Sequence, residues 1–447
     1  MRIFIIYASL MLACTTQNSY ANEHNCINIS SDLALIQTLT ESGQYRNLAE
    51  QSKNLTFDYQ TTSSYPEYLA FARKKIDTEN PKATLKCPIE TGVTVALKKS
   101  KKDLVIADLV APFELKATNN KQAILLIHGL TDSPYLFHDL AAFYHANGMT
   151  VRTLLLPGHG TAPEALTQVD YKAWQLATQY AIDRTLQDFE QVYLGGFSTG
   201  GALVLDNLIS SSQNLAKVKG VILWSPASRA KSTIAWAAQY VDWLPFVDYT
   251  HKGADVDFAK YESFPLNAGA QVHDLMNNLT DSLNKIEAIP DIPLLTFSSE
   301  VDSTIETQAT IDLLNVWHNS KNRLTKQQDT LFYFGEEASL ANLPTTVNRI
   351  LPTCNKQDFC TSILNVAHTA MTSAPFNPHY GWQGNYRNCE TAFGSEHYQT
   401  CKTTNKATLG ETTSENLKQY PSLQRLTFNP NFEQMTTAIT GFLAKTQ

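Results

Sequence analysis

The stretch Tyr193-Leu194-Gly195-Gly196-Phe197-Ser198-Thr199-Gly200-Gly201 decides how this chain is read. The apolar residues leading into it read as the end of a buried strand. The glycines read as a tight turn, and the residues after them as the start of a helix. Ser198 sits at the tip of the turn, inside a Gly-x-Ser-x-Gly pattern. A strand that turns sharply into a helix forces its tip residue into a strained backbone conformation. It also brings backbone so close to Gly196 and Gly200 that only hydrogen fits there. The serine oxygen is lifted clear of the sheet. The amide N–H of Thr199 is left at a helix N-terminus, where it can stabilise a negative oxygen. Alone the pattern is thin. At average Gly and Ser usage, about 0.15 chance matches are expected in a chain of this length. Its weight depends on what stands around it.

On both sides of this turn, short apolar runs alternate with amphipathic segments from about residue 105 onward. This is the rhythm of a mostly parallel central sheet with helices on both faces, an α/β fold class. Strands are expected at 123–127, 151–155, 191–194, 220–224, 293–297 and 330–334. Ser133-Pro134 reads as an N-cap followed by proline at the first helical position. Asn147-Gly148 ends that helix. Further helices are expected at 170–185, 200–211 and 306–317, with a closing helix at 432–444. The rhythm breaks between 226 and about 288. That segment is rich in aromatics, among them Trp236, Tyr240, Trp243, Phe246, Tyr249, Phe258, Tyr261 and Phe264. No strand is expected there until Ile292. An insertion at this point sits over the carboxyl ends of the strands, where such sheets bind ligands. We read it as a helical lid, with most of its aromatics filling its own core and a few lining an apolar pocket.

A serine hydroxyl attacks only if a base takes its proton, and the base needs a third group to orient it. On a strand-turn-helix nucleophile the partners follow in the order acid, then histidine. Asp302 lies just past the run 293–299. Glu300 is the alternative acid, and only position separates the two. His368, in Asn365-Val366-Ala367-His368-Thr369-Ala370, is the expected base. His379 and His397 fall later, in an irregular, cysteine-bearing segment. A second oxyanion donor is expected from the loop after the first strand, Leu125-Leu126-Ile127-His128-Gly129-Leu130. There the N–H of Leu130 would join that of Thr199. His128 precedes the serine and is read as a structural hydrogen-bonder.

Taken together, Ile127-His128-Gly129-Leu130-Thr131-Asp132-Ser133, Leu156-Pro157-Gly158-His159-Gly160, Gly196-Phe197-Ser198-Thr199-Gly200, Asp302 and His368 resemble the α/β-hydrolases of the group containing monoacylglycerol lipases, small bacterial carboxylesterases and serine aminopeptidase-type hydrolases. The resemblance implies an α/β-hydrolase fold. It implies a Ser198–His368–Asp302 triad with an oxyanion hole at Leu130 and Thr199, and needs no metal or organic cofactor. It covers residues 123–300 well, thins toward 370, and leaves both ends of the chain without a counterpart. The motifs point to the fold more sharply than to a substrate.

The chain has 447 residues, 43% of them hydrophobic, so a large core can be buried. Length alone would suit about three domains, and one large α/β domain with insertions fits it equally well. With 42 acidic against 35 basic residues the formal charge is -7. No basic stripe stands out, which argues against nucleic acid as a partner. At the N-terminus, Arg2, an apolar run over 3–13 and Ser19-Tyr20-Ala21 read as a signal peptide with its cleavage site. The run is too short to span a bilayer. Cys14 offers a lipidation site instead, and membrane association is expected only in that case. Of seven cysteines, six then remain: Cys26, Cys87, Cys354, Cys360, Cys389 and Cys401. An even number in an exported chain suggests disulfides, and nearest-neighbour pairing is the simplest arrangement. No Cys/His spacing suggests zinc.

The expected organisation is a signal peptide over 1–21, an N-terminal extension over 22–104, and the hydrolase domain over 105–374. A disulfide-bearing C-terminal extension over 375–447 completes it. The expected activity is an exported (periplasmic or secreted) serine hydrolase cleaving small acyl esters through an acyl-enzyme. A peptidase acting at short peptide ends would use the same triad, and Asp242, Asp248, Asp255 or Asp257 in the lid could then grip a terminus. Thioesterase or acyltransferase chemistry, and a non-enzymatic scaffold, are the other readings.

Overall fold

The computed structural model describes residues 25–446, apart from 51–54, 61–62, 119–120, 211–213, 232–247, 287, 322, 391–392 and 405–406. The cleavage site, Cys14, Trp236, Tyr240, Asp242, Trp243 and Phe246 lie outside the described residues. The strands run β1 Glu114–Leu115, β2 Gln122–Ile127, β3 Thr150–Leu154, β4 Gln191–Phe197, β5 Val218–Trp224, β6 Tyr249–His251, β7 Phe264–Pro265, β8 Leu294–Ser299, β9 Thr330–Phe334, β10 Asn348–Ile350, β11 Leu409–Gly410 and β12 Gln424–Arg425. Eight of them form one sheet in the order β1-β3-β2-β4-β5-β8-β9-β10. Only the short edge strand β1 pairs antiparallel.

The continuous apolar runs have a direct cause. Successive side chains of a strand point to opposite faces, and helices cover both faces here. Leu125 and Ile127 enter one core with Leu194, Leu223 and Leu294, under the helices Tyr171–Asp188 and Thr199–Ser210. Ile124 and Leu126 enter the other with Tyr193, Trp224 and Phe297, under His138–Ala146 and Phe432–Lys445. A strand buried on both sides cannot alternate apolar and polar residues.

The segment before β1 is part of the same packing. Its helix Tyr65–Glu79 starts with a capping box between Ser64 and Glu67 and places Tyr65, Tyr68, Ala72 and Ile76 in the first core. The three disulfides join neighbours: Cys26 with Cys87, Cys354 with Cys360, and Cys389 with Cys401.

Several local expectations change. β6 and β7 form a small antiparallel pair, and β10 adds an edge strand, where no strands were expected. Elements of two or three residues are too short to carry a periodic signal. Ser133 does not cap the turn after it. Its hydroxyl donates to the carbonyl of Ala259, so tertiary packing overrides the local cap. Of the lid segment, the described part contains the helix Leu266–Lys285, whose Val272, Leu275, Met276 and Leu279 face the main core.

Candidate active site

Ser198 follows β4 directly and precedes the helix Thr199–Ser210. Its φ is 50°, in the left-handed region that an L-residue occupies only at a cost. Two bonds to β5 and the segment beyond it hold it there. Its N–H donates to the carbonyl of Trp224 at 2.9 Å, and its carbonyl accepts from Ala227 at 2.9 Å. The flanking glycines are required by backbone. A Cβ on Gly196 would lie 2.5 Å from the backbone of Gly200. One on Gly200 would lie 2.0 Å from the carbonyl oxygen of Ile127.

The side chains named from sequence converge here. His368 Nε2 lies 3.1 Å from Ser198 Oγ, and His368 Nδ1 lies 2.7 Å from Asp302 Oδ2. With a carboxylate beside it, Nδ1 is the protonated nitrogen, which leaves Nε2 to accept from the serine hydroxyl. Asp302 sits just beyond β8. Its other oxygen accepts from the N–H groups of Thr304 and Ile305, each at 2.8 Å. That turn fixes the carboxylate before it meets the imidazole. Ser299, at the end of β8, donates to the carbonyl of Val366 at 2.6 Å and so ties the acid strand to the histidine loop. The alternative acid, Glu300, points elsewhere. It accepts from the N–H of Glu336 and from the hydroxyl of Ser339.

The loop after β2 is braced by two buried histidines. His128 Nε2 accepts from the N–H of Leu156 at 3.1 Å, and His159 Nε2 accepts from the N–H of Thr131 at 3.2 Å. Burial holds His128 well below the usual imidazole range and pushes His159 down to about 4. Both are therefore neutral structural acceptors at ordinary pH. Their bonds hold the loop that carries Leu130. In the same loop, burial pushes the Asp132 carboxyl up to about 6, although the Lys260 ammonium lies 4.0 Å away.

Leu130, Ser198, Thr199 and His368 open onto one cavity of about 710 Å³. Part of its wall is apolar, with Leu266, Val272 and Met276 from the helix Leu266–Lys285. Another part is polar and comes from the C-terminal segment, with Tyr386, Lys402 and Arg425. Sequence reading left that segment without a role, because isolated charges among short irregular elements carry no periodic or motif signal.

Two of the acidic residues considered for gripping a peptide end, Asp255 and Asp257, are committed to internal partners, while Asp248 is exposed. Asp255 accepts from the Ser263 hydroxyl at 2.6 Å and from the N–H groups of Glu262 and Ser263. Asp257 accepts from His379 at 2.9 Å and from the Tyr380 hydroxyl at 2.8 Å. Burial alone would raise Asp257, but these two partners outweigh it and hold the carboxyl below its ordinary value. Of the described lid aromatics, Phe258 packs on Tyr135 and His379, while Tyr261 and Phe264 reach the cavity wall. Among the described residues, no three His, Cys, Asp or Glu side chains converge as a metal site.

A parallel sheet in this order, with a strained serine at the strand-helix turn after β4, the acid loop after β8 and the histidine loop after β10, decides the fold. The chain has an α/β-hydrolase fold. Within it, residues 118–328 match the family model described as serine aminopeptidase, S33. A curated relative, the thermostable monoacylglycerol lipase of Bacillus sp. (strain H-257), is 26% identical over 195 residues, which is 42% of this chain and 74% of that protein. The solved monoacylglycerol lipase of Paleococcus ferrophilus is 18% identical, over 50% of this chain and 87% of that one, with a TM-score of 0.38. Est1E from Butyrivibrio proteoclasticus, solved with ferulic acid bound, is 17% identical, over 47% and 82%, with a TM-score of 0.35. The family match ends at residue 328, so the α/β-hydrolase region it covers holds Ser198 and Asp302 but not His368.

Proposed function

We propose that this α/β-hydrolase is an exported serine hydrolase that cleaves small carboxylic esters. The observation that carries the proposal is the continuous chain from Asp302 through His368 to Ser198, ending at a strained turn that opens onto a cavity. His368 Nε2 takes the proton of Ser198 as Oγ attacks the acyl carbonyl. Asp302 holds the imidazole in the required tautomer and stabilises the imidazolium that forms. The N–H groups of Leu130 and Thr199 receive the oxyanion, and each such donor is worth about 3–4 kcal/mol at the transition state. His368 then returns the proton to the leaving alcohol. Water follows the same route to release the acyl group.

An ester is favoured over a peptide by the apolar wall of Leu266, Val272 and Met276, and by the commitment of Asp255 and Asp257 to internal partners. The relationship to a monoacylglycerol lipase supports the same choice. Export belongs to the proposal as well. Three disulfides suit an oxidising compartment.

The test compares p-nitrophenyl esters of increasing acyl length with aminoacyl anilides on the purified protein. Ester turnover should exceed anilide turnover at every length. Faster anilide turnover would make the protein a peptidase. For export, fractionation of cells expressing the full chain should place it outside the cytoplasm. Cytoplasmic retention with free thiols would remove that part.

A further inference from the structure

We propose that Glu411 and Arg425, from the C-terminal segment, are positioning residues that clamp the His368 loop to the Asp302 loop. The proposal rests on the hydrolase reading above. Glu411 has no exposed side-chain surface, and the Arg425 side chain is almost as buried. Burying two charges is costly unless they are paired and their remaining donors and acceptors are satisfied. Here they are paired, with Arg425 Nε 2.7 Å from Glu411 Oε1. Arg425 Nη2 also donates to Glu411 Oε2 at 3.2 Å, and further hydrogen bonds of the pair reach the two loops that must meet for chemistry.

Glu411 Oε2 accepts from the backbone N–H of His368 at 2.9 Å and from that of Ser303 at 3.4 Å. Arg425 Nη2 donates to Thr304 Oγ1 at 2.9 Å and to Ser303 Oγ at 3.4 Å. Ser303 and Thr304 directly follow Asp302, and the Thr304 N–H itself holds the Asp302 carboxylate. One carboxylate oxygen thus bonds the base's own backbone and the residue next to the acid. The pair is anchored from behind as well. The Glu411 N–H donates to Asn365 Oδ1 at 2.7 Å, three residues before His368, and Leu364 N–H donates to the carbonyl of Leu409. Glu390 braces Arg425 from its outer side at 2.8 Å.

The ion pair explains the electrostatics of the clamp. Burial would raise the Glu411 carboxyl, but Arg425 and the N–H groups of His368 and Thr412 hold it down to about 2. The clamp therefore keeps its charge across the range in which a histidine base operates. A pair that served stability alone would have no need to end on both loops. Arg323 and Asp329 make such a pair, at 2.9 Å and fully buried, beside the start of β9, at the end of the parallel strands opposite Ser198.

The experiment measures kcat and KM for p-nitrophenyl butyrate per folded molecule, with the folded fraction taken from near-ultraviolet circular dichroism. Glu411→Gln keeps one acceptor but removes the charge and half of the clamp. Its kcat should fall about 100-fold with KM within about twofold, as expected when reacting groups shift by an ångström. Arg425→Lys keeps the charge but loses the fork to Ser303 and Thr304. Its kcat should fall about tenfold, which keeps the proposal testable should Glu411→Gln fail to fold. Arg323→Lys, the control, should lower the melting temperature and leave kcat unchanged. If both clamp variants lose only melting temperature, as the control does, the positioning role is overturned. A wild-type protein that neither reacts with a fluorophosphonate nor turns over any ester overturns the hydrolase reading itself, and the clamp falls with it.

Discussion

Three histidines in the described structure sit against a buried aspartate: His318 on Asp329, His379 on Asp257 and His368 on Asp302, at 2.9, 2.9 and 2.7 Å. Residue for residue they are the same couple, and what differs is where the second ring nitrogen goes. His379 Nδ1 meets Asn385 Oδ1 at 3.0 Å in a closed interior. His318 Nε2 meets a hydroxyl, Thr346 Oγ1, at 2.7 Å, so this group even has the outline of a triad. Yet Asp329 there also carries Arg323, and Thr346 lies on an exposed surface turn. No helix N-terminus follows Thr346 as one follows Ser198. His368 alone points at a serine on a strained turn, over a cavity shared with Leu130 and Thr199. An Asp–His pair is a common way to bury a polar ring. The proposed catalytic role comes from what surrounds the pair.

The comparison can be broken most sharply at the serine and the acid. Ser198→Ala should lower kcat/KM about 10⁶-fold and Asp302→Asn kcat about 10⁴-fold, both with the fold intact. Thr346→Ala should leave turnover unchanged in steady-state assays. The two other pairs should answer in stability instead. Asp257→Asn or Asp329→Asn should cost about 3–5 kcal/mol in denaturant unfolding, as expected when a buried pair loses a partner, while kcat per folded molecule stays the same.

Asp132 gives an intermediate, pH-dependent effect. Burial raises its carboxyl to about 6 in the folded chain against 3.8 unfolded. The folded state therefore holds a proton that the unfolded state has lost, and stability falls as pH rises through that window. Above pH 6 the penalty is complete, at most about 3 kcal/mol. Asp132→Asn should accordingly raise the melting temperature more at pH 8 than at pH 4. The smallest effect is expected at Glu300. Its bonds to Glu336 and Ser339 lie away from His368, so Glu300→Gln should cost no more than about 1 kcal/mol and leave kcat within about twofold. A large loss of kcat there would return the acid's role to Glu300.

The sheet and the serine turn were legible because their cause is local. Strands buried on both faces must be continuously apolar, and backbone contact at Gly196 and Gly200 admits no side chain. Asp302 and Glu300 could not be separated in sequence, since both follow the same strand. The turn of Thr304 and Ile305 onto Asp302 decides which carboxylate faces the imidazole. His379 looked like a spare histidine, and only its burial against Asp257 and Phe258 shows where it is used. Glu411 and Arg425 were invisible for a similar reason. Their partners lie in loops far along the chain, and two-residue strands such as β11 and β12 leave no periodic trace.

The central claim is that Ser198 is the nucleophile and His368 its base. The most direct test treats the folded protein with a fluorophosphonate and maps the modified peptide by mass spectrometry. A single adduct on Ser198 is expected, absent in Ser198→Ala and strongly slowed in His368→Ala. An unlabelled wild-type protein, or an adduct that persists in Ser198→Ala, would contradict the claim.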